Sequence, residues 1–141
     1  MRKVFKVTAL AVVMFLFVSL CAFASPDSLP LDVTSSVSGI LTVTNPASAS
    51  LSSYDRQHNI SGYAAEGATV SIYAAYGDKY SIVKRFTVGA SGVFVQPVTL
   101  TRGRNDLVIR ADVNGQVQYV KRTVNVLSIN FFNLLKGFNL F

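Results

Sequence analysis

The 141-residue sequence has no tryptophan, one cysteine, one histidine, four prolines and only 14% charged residues. Each shortage excludes something. A lone cysteine, Cys21, forms no internal disulfide, so any fold must be held by burial rather than by covalent staples. His58 as the only imidazole leaves no His or Cys ligand set for zinc, and no D-x-D-x-D-G loop is present for calcium. There is no G-x-S-x-G elbow to carry a serine nucleophile, and His58, in Asp55-Arg56-Gln57-His58, reads as a loop residue. The seven acidic residues are scattered at 27, 32, 55, 66, 78, 106 and 112. Asp106 and Asp112 would lie about 20 Å apart on one strand, too far for a glycosidase pair. No catalytic residue, metal or cofactor is expected; a hydrolase is the remote alternative.

What charge there is sits unevenly. Met1 to Lys6 carries Arg2, Lys3 and Lys6, Val7 to Phe23 is almost wholly apolar, and Ala22-Phe23-Ala24 closes the run with small residues around Phe23. This is the layout of a secretory signal peptide over residues 1–24, with cleavage expected near Ala24 and export to the extracellular space, cell surface or periplasm. A membrane anchor is the alternative, since the apolar run approaches the roughly 20 residues that span a bilayer. A lipoprotein would need a small residue before Cys21, where Leu20 stands. Removing the leader takes the formal charge from +6 to 10 basic against 7 acidic residues, too mild a balance to imply nucleic acid. The 117 residues that remain suffice for one hydrophobic core and contain no cysteine.

Residues 25–39 hold five Ser, two Pro and two Asp and read as a flexible lead-in, with structure starting near Ile40. From Ile40 to Val126, short alternating apolar runs are separated by Gly, Asn, Asp and Ser clusters, the pattern of an all-β domain. Seven strands are expected near 40–44, 59–64, 69–75, 80–88, 93–100, 105–112 and 117–126. Gly67, Gly77-Asp78 and Gly89 to Gly92 mark turns, Pro97 demotes its strand to an edge or bulge, and Asn114-Gly115 is a strong hairpin signal. In 80–88, Tyr80, Ile82, Phe86 and Val88 fall at even spacing and Lys84 is the one exception to that apolar face. Strands this short cannot each bury two faces, so two antiparallel sheets sharing a core are expected, with a closed barrel as alternative.

Several motifs point to a family. Ile60-Ser61-Gly62-Tyr63-Ala64-Ala65-Glu66-Gly67-Ala68-Thr69-Val70 resembles the opening of bacterial immunoglobulin-like modules. Leu41 to Pro46, Gly92-Val93-Phe94 with Pro97 to Leu100, and Gly103-Arg104-Asn105 are similar to further elements of those modules, so the resemblance spans about residues 40–126. It implies an immunoglobulin-like (Ig-like) β-sandwich and a noncatalytic spacer, adhesion unit or carbohydrate-associated accessory domain of secreted or surface bacterial proteins. The motif residues themselves are fold determinants. Gly62 suits a close backbone approach, and the Asn105 side chain suits capping the turn before it.

Strand parity indicates where a ligand would bind. With Leu107, Ile109 and Ala111 inward, Arg110 points outward; the same rule sets Tyr73, Tyr119 and Lys121 outward. In an Ig-like order these strands share a sheet, giving a face on which aromatic rings stack on sugars and cations meet anionic groups. Cross-strand Tyr and Arg pairs equally serve to stabilise a solvated sheet. At the C-terminus, residues 127–141 place Leu127, Phe131, Leu134, Leu135 and Phe138 at helical spacing. This tail either forms an amphipathic helix docking on a partner or membrane surface, or folds back over an open end of the sandwich. The expectation is therefore an exported module for envelope or extracellular protein interactions, its partner an envelope protein or polysaccharide, with a carbohydrate-binding module as alternative.

Overall fold

A computed structural model of the protein describes residues 25–130 and 136–137. The expected leader, 1–24, lies outside the described residues. Among the described residues the chain is all-β, with nine strands: β1 (Ser28–Pro30), β2 (Leu41–Asn45), β3 (Ser50–Ser53), β4 (Gln57–Ala64), β5 (Thr69–Tyr76), β6 (Lys79–Thr87), β7 (Val93–Thr99), β8 (Gly103–Val113) and β9 (Gln116–Val126). They form a six-stranded sheet in the order β1-β6-β5-β8-β9-β3 and a three-stranded sheet in the order β2-β4-β7. The seven expected strands are β2 and β4 to β9. His58, expected in a loop, lies in β4.

Local chemistry explains these elements. Asn114 (φ 52°) and Gly115 (φ 80°) form the left-handed pair that joins β8 to β9, whose ladder runs unbroken from Gly103↔Val126 to Val113↔Gln116. A Cβ at Gly62 would collide with the Thr42 carbonyl, so glycine alone permits the β2–β4 approach. Asn105 caps its turn: its Oδ1 accepts from the Thr101 amide at 3.0 Å, and its Nδ2 donates to the Thr101 carbonyl at 2.8 Å. Pro97 sits on β7, an edge strand, where its missing donor costs no ladder bond.

The main core lies between the two sheets. Leu41, Val43, Ile60, Phe94 and Val98 of the small sheet meet Val70, Ile72, Leu107, Ile109, Val124 and Val126 of the large one. Three strands cannot cover six. Contacts between β2 and β9 set the small sheet over one side of the large one, and β7 then faces the β5–β6 side as the free edge.

Three features depart from the sequence reading. The lead-in is not bare chain before the first strand: β1 pairs antiparallel with β6, Leu29 opposite Tyr80, and Leu29 is buried. Ser28 and Pro30 hide one apolar residue between polar and helix-breaking neighbours, so alternation gave no signal. Strand β3 pairs with β9 in parallel, against the all-antiparallel expectation, because the chain switches sheets after β2 and comes alongside β9 in the same direction. Finally, β6 does not keep one parity. Its pairing with β5 slips between Ile72↔Lys84 and Tyr73↔Ile82, leaving Val83 as an extra residue. Tyr80 and Ile82 therefore pack on the outer face of the large sheet, whereas Phe86 and Val88 pack in the main core.

Candidate binding surfaces

The outer face of the large sheet carries the residues expected to bind a ligand. Parity places them as expected: β5, β8 and β9 are adjacent, Tyr73 pairs with Val108, and Arg110 lies between Ser71 and Tyr119. The face is nevertheless not open. Tyr73 is 0% exposed and Arg110 6%; Tyr119 is half-buried, and only Lys121 is exposed. This corrects the expectation of an accessible Tyr73, Arg110 and Tyr119 surface.

What covers it is the segment from Ser25 to Val37. Leu29 packs with Tyr73, Tyr80 and Val108, and Val33, Ile82 and Tyr119 pack around that second cluster. Polar anchors fix the strap. The Tyr73 hydroxyl donates to the Pro26 carbonyl at 2.6 Å, and Arg85 reaches the carbonyls of Ser25 and Pro26 and the Asp27 carboxylate. Farther along, the Ser36 amide donates to the Val117 carbonyl at 2.8 Å, and the Tyr119 amide donates to Ser35 Oγ at 2.9 Å.

Beneath the strap's first residue lies a buried ion pair. Arg110 Nη2 is 2.7 Å from Asp112 Oδ2, Arg110 Nη1 donates to Ser25 Oγ, and Arg110 Nε has no partner among the described residues. Asp106, farther along β8 where it pairs with Thr123, has a separate environment. Arg104 Nε donates to both its oxygens, at 3.0 and 2.8 Å, and Thr123 Oγ1 donates to it at 2.7 Å. The Arg104 hydrogen bonds hold the Asp106 carboxyl below the ordinary aspartate range, partial burial opposing them and Thr123 assisting. The two carboxylates thus serve separate arginines. Among the described residues, no three His, Cys, Asp or Glu side chains come together as a metal site.

A second concavity escaped the sequence reading. On the β6 side of the large sheet, where the small sheet does not reach, an apolar cleft of about 390 Å³ opens. Its lining combines the buried Ile72, Leu107, Val98 and Leu100 with the polar Ser81, Thr99, Thr101 and Asn105 and the exposed Val83 and Tyr76. Elsewhere between the two sheets, Phe86 of β6 and Phe94 of β7 meet with ring centroids 5.5 Å apart. No sequence signal could have found it, because it follows from how many strands each sheet received.

The C-terminal tail leaves β9 beside β3, where the Leu127 amide donates to the Ser53 carbonyl at 2.8 Å. Residues 127–130 have no regular structure; Leu127 is exposed and Ile129 is 66% exposed, while Lys136 and Gly137 are helical and exposed. Phe131, Leu134, Leu135 and Phe138 lie outside the described residues. Among the described residues, the fold and these surfaces define an all-β arrangement of two sheets with a strapped outer face and an apolar cleft. No protein-family model matches the sequence, and no curated protein matches it significantly.

Proposed function

We propose that this chain is an exported, noncatalytic Ig-like module that mediates protein interactions in the cell envelope or outside the cell, using its C-terminal tail as the docking element. The observation that carries this reading is the exposure of Leu127 and Ile129, the first apolar residues after β9. The leader-like pattern of residues 1–24 and the Ig-like motifs between Leu41 and Asn105 supply the location and the family resemblance. A carbohydrate-binding role through Tyr73, Arg110 and Tyr119 would require the strap to leave its anchors, and so ranks below protein docking.

The test is deletion of residues 127–141 followed by cell fractionation and thermal melting of the purified protein. The docking reading expects loss of envelope association with an unchanged melting midpoint. Retained association with a lowered midpoint would make the tail a structural cover and reject it.

A further inference from the structure

Strand β7 has one unpaired side. Its register with β4 runs without a break from Gln57↔Thr99 to Tyr63↔Val93, and just past its ends the Leu100 amide donates to the Arg56 carbonyl and the Ala64 amide to the Gly92 carbonyl. Antiparallel hydrogen bonds alternate along a strand, so the even-numbered residues of β7 bond β4 and the odd-numbered ones turn their main chain to the free edge. There the Val95 and Thr99 amides and the carbonyls of Val95, Pro97 and Thr99 have no partner among the described residues. Beside this edge lies the cleft, with Val98 and Thr99 on one side and the β5–β6 hairpin on the other. Two large apolar side chains of that hairpin, Val83 and Tyr76, are 48% and 78% exposed in the cleft lining. An added strand would find main-chain partners along β7 and an apolar shelf beneath it.

The same chain carries a strand-like segment that has no sheet. Leu127, Ile129 and Phe131 alternate with Ser128 and Asn130, the period of a strand, yet residues 127–130 have no regular structure and Ile129 is exposed. Five extended residues reach about 17 Å, most of the length of a seven-residue strand such as β7. The Leu127 amide is bonded to Ser53 of β3, so the segment starts at the edge of the large sheet opposite the cleft, with β8 and β9 between. It starts away from its own groove, and a groove on another copy is the acceptor it fits.

We infer that the segment after β9 of one copy adds to the free edge of β7 in a second copy, antiparallel, with Ile129 opposite Val98 and Phe131 opposite Gln96. In that register Ser128 and Asn130 lie opposite Thr99 and Pro97 on the solvent side, and Ile129 and Phe131 turn toward Val83 and Tyr76. Main-chain bonds supply the affinity and the two apolar side chains fix the register. Pro97 offers no donor, which keeps the pairing short and guards the edge against unlimited strand addition. Donor and acceptor are different surfaces, so the contact is head-to-tail. This inference rests on the reading of the tail as a docking element and names its partner as a second copy of this chain.

Sedimentation equilibrium of the purified exported chain over a range of concentrations tests it. Reversible, concentration-dependent association is expected. Val95→Pro removes an outward amide and leaves the β4 side of the strand bonded, as Pro97 does already; it should weaken association about tenfold or more with an unchanged melting midpoint. Ile129→Asp, at an exposed position, should weaken it by a similar factor. A mixture of the two variants should form a one-to-one pair that grows no further, because Val95→Pro keeps an intact tail and Ile129→Asp an intact groove. A parent that is monomeric at every concentration, association insensitive to Val95→Pro, or a mixture that stays monomeric would overturn the strand addition. A monomeric parent whose Val95 and Thr99 amides lose hydrogen-exchange protection on deletion of residues 127–141 would put the tail in its own groove and reject the second copy. If the deletion abolishes envelope association in cells while the purified chain is monomeric, the docking reading stands and this partner fails. If the purified chain associates through its tail while envelope association survives the deletion, the docking reading fails instead.

Discussion

The two faces of the six-stranded sheet are both covered over most of their area, by opposite means. The inner face is covered by a second sheet through side chains that are nearly all apolar, with Val70, Ile72, Leu107, Ile109 and Val124 fully enclosed. The outer face is covered by a strap through a small apolar cluster and a set of polar anchors, among them Tyr73, Arg85 and Arg110. Apolar burial is non-directional and roughly proportional to area, so the inner face tolerates exchange of similar residues but not loss of volume. Hydrogen-bonded burial is directional. Its value depends on every partner being present, because an orphaned buried charge costs more than the pair gains.

Truncation on the inner face should give the largest effect. Ile109 is 0% exposed and sits between Ile72 and Val120 at the centre of the sheet. Ile109→Ala should cost about 4 kcal/mol in denaturant unfolding, combining lost transfer free energy with a residual cavity. A loss below about 1 kcal/mol would mean that the two sheets do not share this core.

Asp112→Ala on the outer face should cost about 3 kcal/mol, because it leaves Arg110 buried without its counter-ion. The double variant Arg110→Met with Asp112→Leu should recover most of that loss, since a well-packed apolar pair of similar volume replaces two desolvated charges. If the double variant is as unstable as the single one, the pair is needed to seat Ser25 rather than merely tolerated. Tyr73→Phe is milder, about 1 kcal/mol, because the Pro26 carbonyl keeps its bond from Arg85 at 3.0 Å when the hydroxyl goes. That change should also raise proteolytic cutting between Ser25 and Val37 while leaving the inner core protected from hydrogen exchange.

The same contrast explains what could be read in advance. Strands β2 and β4 to β9 were legible because alternation writes an apolar inner face directly into the local sequence, and glycine or asparagine marks each reversal. Strands β1 and β3 were not, because Ser28–Pro30 and Ser50–Ser53 each carry a single apolar residue among serines and prolines. For Tyr73 and Arg110, parity gave the correct face and the wrong exposure. Which face a residue occupies is decided by its neighbours in sequence, whereas what lies over it is decided by a segment 47 residues from Tyr73 and 85 from Arg110. Lys84 marks a third kind of failure. Even spacing joined Tyr80 and Ile82 to Phe86 and Val88, and one extra residue at Val83 divided them between two faces.

Strand β8 contains its own control for the outer face, because it carries the pattern Arg-x-Asp twice. Arg110 and Asp112 lie under the strap; Arg104 and Asp106 lie beyond it, with Arg104 largely in solvent. Identical chemistry in a wet setting should contribute little, since water screens the charges and competes for the hydrogen bonds. The Asp106 carboxyl is depressed below the ordinary aspartate value of 3.8, first by the Arg104 hydrogen bonds. A depressed folded pKa stabilises the native state above the unfolded pKa, and that contribution disappears as pH falls through the folded one. Parent and Asp106→Asn should therefore differ slightly at pH 6 and converge below pH 3.8, by a margin smaller than any change above. A gap at pH 6 as large as that of Asp112→Ala would show that water exclusion by the strap is not what separates the two pairs.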